Sequence, residues 1–254
     1  MDEKQLNMKK SLFFLPAILL PVLAFSQVDY KWETVRIDST FDNGKDYSVV
    51  KIIEKYSPLM EPFQEIIGYT DEVYQSRSPE SPLSNFAADA IRACAAEMTG
   101  HDIDVALTNF GGIRSSLPKG AVRVYDIYSI FPFNNDIVCF DIKGSDLRAI
   151  FERMAASGRM QAWSNVKVVI REKKIVRLEV AGKPLDDGKL YRMASINFLM
   201  DGGDSLSLSK VAQNVWESDV YLRDAFVGYI KKKTAAGEKL VMSSDGRVQI
   251  IEEK

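Results

Sequence analysis

Three loops gather the side chains in this sequence best suited to chemistry. The first, 109–114, reads Asn-Phe-Gly-Gly-Ile-Arg. Its two glycines allow a sharp turn and leave Asn109 and Arg114 at the rim. The second, 131–135, is Phe-Pro-Phe-Asn-Asn, in which Pro132 fixes the backbone and can hold Phe133 outward. The third, 197–204, is Asn-Phe-Leu-Met-Asp-Gly-Gly-Asp and presents Phe198 and Asp204 around a Gly-Gly turn. These residue types suit recognition of a nucleoside phosphate. Two phenylalanine rings can sandwich a base, at about 1–3 kcal/mol per stacked base. An aspartate accepts from ribose hydroxyls, an arginine fork grips phosphate, and asparagine reads base edges. Each loop alone is also what a tight turn beside a core phenylalanine looks like. Three of them, each at the end of an expected strand, form a pattern, because ligands in sheet proteins commonly bind at strand ends.

Other chemistries are excluded by inventory. His101 is the only histidine, and it follows Gly100 just past an expected helix end, an ordinary exposed place. A Ser-His-Asp triad would have to use it. A zinc site built on several histidines is impossible, and Cys94 and Cys139 are not at metal-ligand spacing. Neither a GxxxxGKS/T loop nor a GxGxxG loop occurs. A dimetal hydrolytic centre holds its ions about 3.5–4 Å apart on several His and Asp ligands, and this chain cannot assemble the usual version. No catalytic residue, metal ligand or cofactor is therefore assigned within it. Lys and Arg number 33 against 35 Asp and Glu, a net charge of −2. The longest basic run, Lys231-Lys232-Lys233, sits at an expected helix end, where cations suit the dipole. No nucleic-acid surface is expected.

The N-terminus reads as an export signal. Lys9 and Lys10 precede an apolar run, 12–25, that ends in Ala24-Phe25-Ser26, with small residues suited to a cut before Gln27. Met8 is a candidate start. The run is short for a bilayer span and holds two prolines, so no stable membrane anchor is expected. The expected location is periplasmic or secreted. That address permits a disulfide, but Cys94 and Cys139 sit among apolar residues and read as buried free thiols.

Periodicity and capping outline the elements around the loops. Ser81-Pro82 starts a helix that runs to about Thr99, with Phe86, Ala87, Ala90, Ile91, Cys94, Ala95 and Met98 on its apolar stripe and Gly100 ending it. Residues 104–108 form a short buried strand, and 136–142 alternate as another. Ser145 caps a helix carrying Leu147, Ile150, Phe151 and Met154 on one face. Residues 166–170 and 175–180 form a hairpin around Lys173-Lys174. A strand at 191–196, a helix at 219–232 and a strand at 247–251 complete the chain. Before these, 57–68 reads as helical, and 49–56 suits either helix or strand. The mixture predicts an α+β fold, a mixed β-sheet with packed helices. The expected organisation is a signal peptide over 1–26, a lead-in over 27–76, and a nucleotide-binding domain over 77–254.

Four ordered motifs carry a resemblance. Residues 80–90 read Glu-Ser-Pro-Leu-Ser-Asn-Phe-Ala-Ala-Asp-Ala; they are joined by the loops at 109–114, 132–135 and 197–205. In these the chain resembles the C-terminal, substrate-recognition domain of the 5'-nucleotidase family, from about residue 28 to the end and most strongly over 77–205. The resemblance implies that Phe133 and Phe198 clamp a nucleobase, that Asp204 is a ribose ligand, and that Asn109 contacts base or ribose. It implies phosphate-side contacts for Arg114 and Arg77, the latter also readable as a solvated loop arginine. Departures stand at Phe110, Asn134, Asn165 and Ser205, each where the family has glycine, and Phe110 adds bulk beside the pocket. In the family the catalytic divalent metals lie in a separate metallophosphoesterase domain. The resemblance thus implies a recognition subunit of a split phosphoester hydrolase, partnered by a separately encoded exported metallophosphoesterase. A stand-alone nucleotide- or nucleoside-binding protein is the alternative.

Overall fold

The computed structural model describes residues 30–36 and 47–251. The expected signal segment at 1–26 lies outside them. The chain divides into two units, Met1–Ile52 and Ile53–Lys254. In the first, 30–36 is exposed coil and 47–52 begins a helix, α1 (Tyr47–Met60), that crosses the division.

Among the described residues the second unit holds three sheets. β1 (Ile66–Thr70) pairs antiparallel with β3 (Gly120–Arg123). The central sheet has the order β10 (Gln213–Tyr221), β4 (Asp136–Lys143), β9 (Leu190–Ile196), β2 (Val105–Thr108) and β5 (Ala162–Ser164). Its β9–β2 pair is parallel and its other pairs antiparallel. The third sheet orders β11 (Val248–Ile251), β6 (Val166–Arg171), β7 (Lys174–Val180) and β8 (Lys183–Pro184), with β11 parallel to β6. The fold is α+β, with mixed sheets and packed helices.

Helices cover both faces of the central sheet. α2 (Pro82–Thr99) packs on β2, β5, β4 and β9. Ser164 Oγ donates to Asp89 of α2, while its neighbour Trp163 stacks at 4.2 Å on Phe151 of α4 (Gly144–Ser157). Successive strand residues point to opposite faces, so α4 lies across the sheet from α2. The short α5 (Asn197–Met200) packs on β9, while α3 (Val124–Ile130) and α6 (Leu222–Ala235) pack on one another and α6 also packs on α2 and β1.

Ser81 caps α2 as expected, in a capping box with Ser84, and Gly100 ends it at φ 68°. The rest of the 80–90 motif is a clasp. Glu80 accepts from the amides of Asp245, Gly246 and Val248, and Asn85 donates to the Ser243 carbonyl. The motif therefore holds the C-terminal strand to the helix that precedes the candidate site. Cys94 and Cys139 are buried free thiols. Burial pushes them up to about 12 and about 11, so neither is a reactive thiolate near neutral pH.

Three expectations are corrected. Helical structure over 57–68 stops early: α1 ends at Met60, a 3-10 turn follows at Glu61–Gln64, and β1 begins at Ile66. Pro62 near the start of that turn and a partner strand at β3 decide the change. The expected helix at 219–232 begins only at Leu222, because β10 precedes it. The cap of α4 is not Ser145 but Lys143, with Gly144 the first helical residue.

Gly144 has a reason to be glycine. Its amide donates to the Lys189 carbonyl, and a methyl group there would overlap the Asp186 carbonyl oxygen. Backbone cannot yield as a side-chain tip can. Gly144→Ala is expected to cost about 1–3 kcal/mol, the range for overpacking a close contact, read as a lower urea midpoint at unchanged m. An unchanged midpoint would show that the Asp186 loop moves freely.

Candidate functional site

The central sheet brings the three loops together by register. Thr108, the last residue of β2, pairs with Ala162, the first of β5. Ile196 at the end of β9 pairs with Ile137 at the start of β4, and Asp136 pairs with Tyr221 at the end of β10. Since β2 runs parallel to β9, all five strands present these termini along one edge of the sheet. Asn109, Phe133, Gln161, Asn197 and Arg223 each lie within three residues of such a terminus.

Four of the six expected site residues line one pocket. Asn109, Phe133, Phe198 and Asp204, with Gly111, Gly112 and Asn135, enclose about 210 Å³. Phe133 is 47 % exposed and Phe198 is 42 %, in a chain whose Phe131, Phe140, Phe151 and Phe226 are buried. An aromatic ring left half in water beside a concavity is available to a ligand. Arg114 and Arg77 do not line the pocket. Arg114 is exposed at the end of the first loop, with Nη1 3.4 Å from the Gly111 carbonyl. Arg77 is exposed ahead of α2, and its amide donates to Ser81 Oγ.

Each lining residue is held by its loop. Phe110–Gly112 is one 3-10 turn, and Asn109 folds over it. A side chain at Gly112 would come within 2.6 Å of Asn109 Oδ1, so the glycine makes room for the amide. Asn109 is only 4 % exposed, and its Oδ1 has no hydrogen-bond partner among the described residues. A buried acceptor left unmade costs about 1–3 kcal/mol, and here it belongs to a residue of the pocket wall.

Phe198 is fixed from both sides. Asn197 Oδ1 accepts from the Phe198 amide at 2.8 Å and from the Asp136 amide at 3.3 Å, joining the ends of β9 and β4. The ring lies against Gly203, where any side chain would collide with it. Asp204 follows at φ 51° and Ser205 at φ 63°, both in the left-handed region. That conformation costs a non-glycine residue about 1–2 kcal/mol. The turn bears the cost and places Asp204 at the pocket.

Two positioning residues carry no mark in the loop motifs. Gln161 accepts from the Phe110 amide and donates to Asp204 Oδ2, both at 3.0 Å, and so bridges the first and third loops. Arg223 donates to the Phe133 carbonyl at 3.1 Å while its guanidinium lies over the rings of Tyr128 and Tyr221. Asp224, beside it, holds the Tyr128 phenol above its ordinary pKa through a hydrogen bond. In sequence Gln161 heads the short segment 161–165 that resembles a family Q-x-S-G stretch, with no partner marked for it, and Arg223 is one helix residue among others.

The departures from glycine are absorbed. Phe110 lines a neighbouring cavity instead of the pocket, so it does not crowd the two rings. Asn165 adopts φ 60° and donates to the Asp104 carbonyl at 2.7 Å, doing with an amide what a glycine does by lacking a side chain. Asn134 is not at positive φ. Among the described residues no three His, Cys, Asp or Glu side chains gather closely enough to hold a metal ion. The donors that these described residues bring together do not fit a dimetal centre.

The family described as 5'-nucleotidase, C-terminal domain, matches residues 66–210, a stretch that contains all six expected site residues. The protein UshA of Yersinia enterocolitica is 35 % identical over 114 residues, which take in 43 % of this chain and 21 % of UshA. A 5'-nucleotidase-related protein of Glossina morsitans morsitans is 28 % identical over 255 residues, 88 % of this chain and 45 % of that protein. The solved structure of a 5'-nucleotidase precursor from Thermus thermophilus superposes with a TM-score of 0.70 at 25 % identity, covering 82 % of this chain and 44 % of the other. The chain spans less than half the length of these relatives.

Proposed function

Because the chain belongs to the 5'-nucleotidase C-terminal domain family, we propose that it is a nucleotide-recognition domain that presents a nucleoside phosphate to a dimetal hydrolytic centre on a separate chain. The observation that carries this reading is the pocket between Phe133 and Phe198, with Asn109 and Asp204 in its wall. The base stacks between the two rings. Asp204 accepts from the ribose, and the unmade acceptor of Asn109 takes a donor from base or sugar. Arg77 and Arg114, exposed outside the pocket, meet the phosphate as it leaves the base clamp. Gln161 and Arg223 keep the loops in place through backbone and carboxylate contacts.

Hydrolysis then needs ligands that this sequence, with its single histidine, does not supply. Bound divalent ions in the partner would polarise the phosphoryl group; this chain's part is to bind and orient. The charged and apolar pattern over 8–26 supports export, so the partner would be an exported metallophosphoesterase in the same compartment.

The test is reconstitution. Purified chain is mixed with a candidate exported metallophosphoesterase, and AMP hydrolysis is followed with Mn²⁺ or Zn²⁺ present. Turnover is expected to rise only in the mixture. Robust turnover by the chain alone would sink the proposal. Nucleotide binding with no gain in any mixture would favour a stand-alone binding protein.

A further inference from the structure

The pocket between the rings is small. At about 210 Å³ it falls below the roughly 300–1,000 Å³ of most small-molecule sites. A second cavity of about 730 Å³ adjoins it, and the two share Gly111 and Asp204. The far wall of the larger cavity is the end of α4 and the turn after it, with Arg153, Ser157 and Arg159. Neither guanidinium has an ion-pair or hydrogen-bond partner among the described residues, whereas Arg148, Arg177, Arg192 and Arg247 are all paired. Among the described residues Asp204 is the only carboxylate in the lining, so two cations meet one anion there.

Asp204 sets what can enter from the pocket side. Its Oδ2 already accepts from Gln161, leaving Oδ1 for a ligand. One ribose hydroxyl satisfies it. Asp204 lines the larger cavity as well as the pocket, so a sugar held at its free oxygen borders the cavity that the unpaired arginines line. We propose that this second cavity is an anion subsite for a phosphate esterified at the ribose 2' or 3' oxygen of a nucleotide whose base lies between Phe133 and Phe198. The inference rests on the base-clamp reading and adds a substrate class to it: nucleotides phosphorylated on the hydroxyl side of the sugar. Cations near a helix C-terminus also favour the helix dipole, and that role alone would affect stability but not ligand choice.

Titration calorimetry on the full chain separates the two. Nucleosides of all four bases are compared with their 2'-, 3'- and 5'-monophosphates and with inorganic phosphate, at low salt. The 2'- or 3'-monophosphate of an accepted base is expected to bind about tenfold tighter than its nucleoside, a discounted figure for two exposed charge-assisted contacts. Arg153→Ala combined with Arg159→Ala should abolish that advantage and leave the nucleoside and 5'-monophosphate affinities unchanged. Equal affinities for nucleoside and 2'- or 3'-monophosphate overturn the subsite while leaving the clamp standing. An advantage that survives the double substitution overturns it too. If no nucleoside or nucleotide binds, the clamp reading fails and this inference with it.

Discussion

Replacing Phe133 by alanine is expected to weaken nucleotide binding by about 10- to 100-fold, and Phe198→Ala by a similar factor. The stack of one base on one ring is worth about 1–3 kcal/mol, and about 1.4 kcal/mol is a factor of ten. Both rings stand at the same small pocket, and both are nearly half exposed, so little core packing is lost with either. The two variants differ in one respect. Phe133 is an exposed ring whose loop is pinned through its carbonyl by Arg223, a contact that survives truncation. Phe198 lies against Gly203, so its removal also loosens the turn that places Asp204. Phe133→Ala is therefore the cleaner test, with an unfolding temperature close to that of the parent chain. Phe198→Ala should lose binding and a little stability together. Calorimetry and thermal unfolding on each variant read both quantities. An affinity that stays within twofold for both variants would remove the base clamp from this pocket.

The site was more legible in the sequence than its supports were. Phe133, Phe198, Asn109 and Asp204 lie in loops whose glycines and prolines mark strand ends, and strand ends are where an antiparallel or parallel neighbour brings distant residues level. Composition alone could therefore nominate them. Their bracing could not be read this way. Gln161 reaches Asp204 across 43 residues and Arg223 reaches Phe133 across 90, and no local pattern records such a pairing. β10 was hidden for a related reason. All of its residues but Ser218 are exposed, and its register against β4 breaks twice, so it shows no alternation of apolar and polar residues. β1 was hidden because Ile66 and Ile67 continue the helical spacing of Leu59 and Phe63 as well as they fit a strand, and only pairing with β3 decides between them. The arginines show the limit of composition from the other side. Arg77 and Arg114 have the right chemistry but stand outside the pocket, while Arg153 and Arg159 line the cavity next to it with no motif to mark them.

Asp89→Ala is expected to cost about 3 kcal/mol, the low end of the range for breaking a buried ion pair. For a domain of this size that is a fall of roughly 6–12 °C in unfolding temperature. The reason is Arg247, which is only 8 % exposed and uses every donor it has. Two go to Asp89 in a bidentate pair at 2.8 and 3.0 Å, two to Asp245, and one to the Trp163 carbonyl. The guanidinium therefore ties the start of β11 to α2 and to β5, and β5 begins one residue after Gln161. Removing Asp89 leaves the buried cation half paired. Removing the cation instead, as Arg247→Met, leaves two carboxylates that are partly in water and can rehydrate, so the loss should be smaller. The order of the two variants is thus the discriminating result: if Arg247→Met costs more than Asp89→Ala, packing of the arginine stem outweighs its charge. Acid should act on the same point. Arg247 holds the Asp245 carboxyl below the usual range, so the stabilisation is complete above the ordinary carboxylate pKa and is lost as pH falls through the lowered one. Near neutral pH it does not vary. Because Asp245 is more than half exposed, salt should blunt the acid effect. The Asp89 variant should also bind nucleotide more weakly near its melting range than far below it, since Gln161 and hence Asp204 depend on the strand that Arg247 secures.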